Sequence, residues 1–167
     1  HYIKANTYPL GSKEKLDRAS DNSQYSRLHG KYHPIIRSYL KKFGYYDIFL
    51  VNSVSGDIVY SVFKELDYTT SLIDGPYAQT NFGDAFRRAN SAEGRDTIVI
   101  TDFAQYYPSY NAPAGFVASP IYDGDKKVGV ALFQFPIDAL NTIMGERSGM
   151  GETGETYLVG ADKLMRS

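Results

Sequence analysis

The sequence predicts an α+β domain: a long N-terminal helix followed by one five-strand antiparallel sheet with helices on its faces. Three observations lead there. Residues 46–65, YDIFLVNSVSGDIVYSVFKE, read as a β-hairpin. A helical pattern precedes it, and three further strand-like runs follow a polar crossover and a short amphipathic helix.

The first helix is expected over 12–43. From Tyr25 the apolar positions Leu28, Tyr32, Ile35 and Tyr39 recur at spacings of three and four, and Ile36, Leu40 and Phe43 widen the stripe. The stripe is read for the most part as the face packed on the helix's own sheet, with a dimer seam as the rival reading. Pro34 should kink or divide the helix, and Gly44 should end it. The hairpin places strands at Asp47–Asn52 and 57–63 around Asn52, Ser53, Ser55 and Gly56, residues suited to a tight reversal. Residues 66–79 are polar and turn-rich, with Gly75-Pro76 as punctuation. Phe82, Ala85, Phe86 and Ala89 then form a helical face capped by Thr80 or Asn81. Strands follow at 97–103, 115–122 and 127–135, the last two joined by an Asp123-Gly124-Asp125 turn. Pro136 suits the start of a final helix whose sheltered side would carry Ile137, Leu140 and Met144. Residues 145–154 are glycine-rich, and 156–160 begin another strand whose aromatic-Leu-Val frame repeats that of Phe49-Leu50-Val51. The chain thus divides into a helical stalk at 1–44, a sheet module at 45–147, and a hinge leading into a further segment at 148–167.

Composition narrows the function. A net charge of −1 removes the field that would draw nucleic acid or anionic membranes. The absence of cysteine excludes thiol catalysis, disulfides and cysteine-based zinc sites. Fifteen tyrosines and nine phenylalanines with no tryptophan supply aromatic bulk largely through rings that carry a hydroxyl, suited to polar pockets. No apolar run is long enough for a membrane helix, and HYIKANTYPLGSK lacks the apolar core of a signal peptide. The stop at Leu164-Met165-Arg166-Ser167 reads as a cut within something longer.

Candidate chemistry thins out on inspection. Gly149-Met150-Gly151-Glu152-Thr153-Gly154 matches G-x-G-x-x-G but lies between a helix and a strand, the reverse of a dinucleotide site, and is read as a hinge. His29 and His33 are four apart, yet Gly30, Lys31 and Tyr32 between them make no metalloprotease motif, and they are read as solvated surface histidines. Asp123 and Asp125 belong to a turn, and no serine elbow is present. No enzyme, metal site or cofactor is expected. What remains is the aromatic segment between the third and fourth strands. Tyr106, Tyr107, Tyr110 and Phe116 are the expected walls of a small-molecule pocket between the sheet and residues 67–77 and 102–116. Tyr77 and Phe103 are further wall candidates. Asp67 and Asp102 would anchor a cationic or hydroxyl-bearing group, and Lys64 an anionic one.

Helix, hairpin, crossover and three strands is also the plan of PAS-like sensor domains. The blocks Tyr46-Asp47-Ile48-Phe49-Leu50-Val51, Lys64-Glu65-Leu66-Asp67-Tyr68, Gly75-Pro76-Tyr77, Tyr107-Pro108-Ser109 and GETGETYLVG at 151–160 resemble the extracytoplasmic Cache sensor regions of bacterial methyl-accepting chemotaxis proteins and related transmembrane receptors. The resemblance implies a periplasmic part of an inner-membrane receptor, anchored by helices outside this sequence, that binds a small molecule and biases a cytoplasmic signalling module. It also implies a homodimer through the N-terminal helix. The Arg-x-Trp-Tyr pattern of amino-acid-sensing Cache regions has no counterpart here. A histidine kinase or diguanylate cyclase sensor region, and a binding module without output, are the alternatives.

Overall fold

A computed structural model describes residues 1–166. Its first 23 residues are irregular apart from one 3-10 turn at Lys13–Lys15 and wrap the base of helix α1, Gln24–Phe43. The sheet follows: β1 Asp47–Asn52, β2 Ile58–Ser61, β3 Val99–Gln105, β4 Pro113–Asp123 and β5 Lys126–Pro136. Helix α2, Asn81–Ser91, lies between β2 and β3, and α3, Ile137–Met144, follows β5. All pairings are antiparallel in the order β2-β1-β5-β4-β3, so the last strand is the centre of the sheet.

The two faces of the sheet bury different cores. Phe49, Val51, Phe116, Ala118, Val130 and Leu132 meet Phe82, Ala85, Phe86 and Ala89 of α2 on one face. Stacked and tilted rings at Phe49, Phe82 and Phe116, with Tyr106 edge-on to the last two, 4.6–5.7 Å apart, fill its centre. On the other face Ile48, Tyr60 and Val62 pack on Leu40 of α1.

The hairpin forms as its residues dictate. Asn52 Oδ1 accepts from the Val54 and Ser55 amides, and Gly56 adopts a φ of +72°, open to it for want of a Cβ. Its second strand is shorter than expected, because the chain from Val62 turns aside: the Val62 amide is shared between the Ile48 carbonyl and the Asp47 carboxylate, and the Phe63 amide binds that carboxylate instead of extending the ladder. Thr80 caps α2 by accepting from the Gly83 amide. β4 and β5 run longer than expected and meet at the Gly124-Asp125 turn.

Helix α1 departs most from expectation. It begins at Gln24, where Ser23 accepts from the Ser26 amide, rather than at residue 12. It passes Pro34 as one continuous element and ends at Gly44 in a left-handed C-cap. Its buried face is Ser26, His29, His33 and Leu40, not the apolar stripe; Leu28, Tyr32, Ile35 and Tyr39 are 46–54% exposed. The histidines are therefore not surface residues. The N-terminal segment lies across them and supplies backbone acceptors: Glu14 O sits 2.7 Å from His33 Nε2 and Asp17 O 2.6 Å from His29 Nδ1. The Tyr60 hydroxyl is 2.7 Å from His33 Nδ1, and His29 is stacked between Tyr2 and His33 at 4.3 Å. Desolvation pushes His29 down to about 4 and His33 to about 3, so both are neutral. Ile137, Leu140 and Met144 do form the sheltered side of α3, yet only half-buried.

Candidate functional site

The site is built where β1 begins and β2 ends, on the α2 face. Asp47 opens β1 opposite Gln134 of β5, and both side chains turn into the same interior. The Asp47 carboxylate accepts from Ser61 Oγ at 2.7 Å and from the Ile48 and Val62 amides at 2.7 and 2.9 Å. That cap bends residues 62–65 back across the sheet end. Lys64 takes a left-handed backbone, φ +56°, with its amide on Ser61 Oγ at 2.8 Å. Its ammonium donates to the Ser61 and Val62 carbonyls and lies 5.7 and 5.6 Å from the rings of Tyr2 and Tyr60.

The next turns place two further carboxylates inside. Glu65 accepts from the Tyr46 hydroxyl at 2.9 Å, with Ser109 Oγ at 3.4 Å. Ser109 in turn accepts from Gln134 Nε2 at 2.8 Å. Asp67 Oδ2 accepts from the Tyr106 hydroxyl at 2.7 Å. Two acceptors in this network, Asp67 Oδ1 and Gln134 Oε1, are buried with no hydrogen-bond partner. Burial is the first cause of the acidity shifts. It raises Asp47 and Glu65 to about 7 and Asp67 to about 6, and lowers Lys64 to about 8. Orphaned buried acceptors cost free energy, here as at Glu14, Asn81 and Asn90, and what sets this cluster apart is its three raised carboxylates, which mark a site able to take or release charge.

Above Glu65 a cavity of about 310 Å³ opens among Leu10, Leu66, Tyr107, Pro108, Tyr110 and Asn111. Four of the six non-glycine residues with positive φ among the described residues, Lys64, Thr69, Tyr110 and Asn111, belong to the two segments that frame the network and the cavity. Such strain collects where surrounding structure holds a site in place.

The residues anticipated from the sequence divide into three groups. Lys64, Asp67, Tyr106 and Phe116 are fully buried, the last two within the aromatic core, with Tyr77 half-buried 5.9 Å from Tyr106. Tyr107 and Tyr110 are 65% and 66% exposed and border the cavity. Asp102 and Phe103 lie elsewhere: Asp102 is on the surface in a two-pronged bond with Arg166, and the Phe103 ring covers Gly115. Sequence reasoning missed Asp47, Tyr46, Glu65, Ser109 and Gln134. Two signals pointed to them. Glu65 stands between Lys64 and Asp67 where the chain leaves an apolar strand, and Gln134 is a lone amide within the apolar run of β5. No group of three metal-ligating side chains occurs among the described residues.

No family model and no curated protein sequence matches the chain. Solved structures do. The ligand-binding domain of Campylobacter jejuni chemoreceptor Tlp3, solved with L-valine, superposes with a TM-score of 0.59 at 16% identity over 87% of this chain and 53% of that one. The ligand-binding domain of Pseudomonas fluorescens chemoreceptor CtaA, solved with L-serine, gives 0.54 at 15% identity over 93% and 60%. The chain shares the fold of these two ligand-binding domains. The V. cholerae histidine kinase DctB sensor domain shares it too, with a TM-score of 0.50 at 14% identity over 80% and 46%. The chain spans about half the length of these domains. Within this fold the polar network occupies the end of the sheet where the β3–β4 connection closes over β1 and β5.

Proposed function

We propose that the chain is the extracytoplasmic small-molecule sensing part of a transmembrane chemoreceptor, passing ligand binding to a cytoplasmic signalling module without catalysis. The observation that carries this reading is the pair of orphaned acceptors, Asp67 Oδ1 and Gln134 Oε1, inside a network of buried carboxylates that has a cavity over it. Acceptors without donors call for a ligand that brings N–H or O–H groups. None of Asp47, Glu65 or Asp67 has a Lys, Arg or His partner within ion-pair distance among the described residues, which favours a cationic or hydroxyl-rich molecule over an anion. Asp67, Glu65 and Gln134 would take its polar end, and Tyr107 and Tyr110 would close on its apolar part. Lys64, with its ammonium on two carbonyls, would set the local charge.

A thermal-shift screen of small amines, polyols and carboxylates tests the reading. An amine or polyol should raise Tm, and calorimetry should show at least a tenfold affinity loss for Asp67→Ala or Glu65→Ala, with several-fold for Tyr107→Ala. If only carboxylates stabilise, or none of these variants weakens binding, the site assignment is wrong. The fold shared with the DctB sensor supports a second output, a histidine kinase. Fusing the chain's receptor to a known kinase or chemotaxis readout separates the two.

The exposed stripe of α1 supports a homodimer in the receptor, because six apolar residues from Tyr25 to Phe43 stay 38–58% exposed along one helix. No helix among the described residues is long and apolar enough to cross a membrane, so membrane attachment in this proposal falls to segments outside the sequence.

A further inference from the structure

Residues 158–166 close on themselves. Val159 and Met165 form an antiparallel bridge, the Gly160 amide donates to Leu164 O at 2.9 Å, and the Arg166 amide donates to Leu158 O at 2.8 Å. An ion pair ties the loop to the sheet. Arg166 Nε and Nη2 reach Asp102 Oδ1 and Oδ2 at 2.9 and 2.8 Å, a fork-to-fork pairing, while Nη2 also lies 2.8 Å from Asp162. The arginine side chain keeps only 11% of its surface exposed. Gly160 makes room for it, since a Cβ there would overlap the guanidinium.

The anchoring point is itself unusual. Between Thr101 and Ala104 the β3–β4 register shifts, so Asp102 sits on a bulge that turns its side chain away from the core. Asn81 at the start of α2 ties the same bulge down, donating to the Asp102 and Ala114 carbonyls at 2.9 and 2.7 Å. Four residues further on, the chain enters the Tyr106–Tyr110 segment that frames the candidate site. That segment is held by its own short bonds, Ser109 N to Tyr106 O at 3.2 Å and Ala112 N to Ser109 O at 3.0 Å.

We infer that the Arg166–Asp102 pair is a latch that couples the β3–β4 segment over the candidate site to the C-terminal segment of the chain. The latch has two joined ends: a displacement of residues 106–112 shifts the bulge, and a shifted bulge cannot present both carboxylate oxygens to Arg166. The released loop at 158–166 then loses its only charged tie to the sheet among the described contacts. This goes beyond the proposed sensing role and does not depend on which molecule is bound.

Amide hydrogen exchange on the unliganded chain tests it. Arg166→Gln removes the fork, and Gly160→Ala displaces the guanidinium without changing charge. Both should speed exchange at Gly160 and Arg166 at least tenfold and, through the bulge, at Tyr106, Ser109 and Ala112 several-fold. Amides of Ile48 and Val117 should not change. Asp102→Asn, which weakens the fork from the sheet side and leaves the Arg166–Asp162 pair in place, should reproduce both sets of changes. Faster exchange confined to 158–166 would make the pair a simple tether and overturn the inference. Unchanged exchange at Gly160 and Arg166 would show that no latch exists.

Discussion

Replacing Tyr106 by phenylalanine removes one oxygen from the middle of the site and leaves the core ring in place. The hydroxyl donates to Asp67 at 2.7 Å, and both side chains are almost fully buried. At pH 8 Asp67, held near 6, is ionised, and a hydrogen bond to a charged group contributes about 1.5–3 kcal/mol. At pH 5 the carboxyl is protonated and the bond joins two neutral groups, contributing about 0.5–1.5 kcal/mol. The variant should therefore lose about twice as much stability at pH 8 as at pH 5. By linkage, a difference of about 1.4 kcal/mol corresponds to a rise of about one unit in the Asp67 pKa. Urea unfolding at the two pH values, with the m-value constant, reads the stability, and a carboxyl-selective NMR titration reads the pKa independently. Equal losses at both pH values, or a loss below about 0.5 kcal/mol at pH 8, would show that Asp67 does not rely on this hydroxyl.

Other expectations follow from the same geometry. His29 and His33 are depressed below their ordinary value, so the stability they confer is complete above about pH 6.5 and is lost as pH falls toward 4. Asp47, Glu65 and Asp67 are raised, so their contribution is complete below about pH 4 and is lost as pH rises through 6–7. His33→Gln should accordingly flatten the acid limb of a stability–pH curve by about 1 kcal/mol between pH 6.5 and 5 while leaving the limb above pH 7 unchanged; an unaltered acid limb in urea titrations would contradict this. Gly83→Ala should destabilise by about 2 kcal/mol or more despite alanine's higher helix propensity, because a Cβ would strike the Ala78 carbonyl; a rise in Tm would disprove the close approach. Ile35→Glu on the exposed stripe should leave Tm within a degree or two and shift sedimentation from dimer to monomer. A monomeric parent chain would remove the basis for that expectation.

The sheet was largely legible because its strands carry local signals: alternation, turn residues at Asn52–Gly56 and Asp123–Asp125, and a capped amphipathic α2. Helix α1 was misread because periodicity reports where apolar residues fall, not which face a neighbour covers. His29 and His33 look polar until backbone acceptors from residues 14 and 17 are brought beside them, and nothing local announces that approach. The site shows the same division. Lys64, Asp67, Tyr106, Tyr107 and Tyr110 were visible as charges and aromatics on two loops. Glu65, Ser109 and Gln134 acquire meaning only when residue 134 of the central strand meets residue 109 of a distant turn. Asp102 was read as a ligand anchor from its place beside the aromatics, whereas the structure pairs it with Arg166.

The strand order has a consequence for how the chain acquires its shape. β1 and β4 both pair with β5, which is the last strand in sequence, so two separate hairpin-like halves must each wait with an open edge until residues 126–136 arrive. Closing so distant a pairing is entropically slow, and the waiting edges are apolar on both faces at Phe49, Leu50 and Val51. Synthesis should therefore release a chain that gains its cooperative structure only after β5 leaves the ribosome. A version ending at residue 125 should be insoluble or chaperone-bound, and adding a peptide of residues 126–147 should recover soluble sheet; a soluble, protease-resistant 1–125 fragment would refute this order of events.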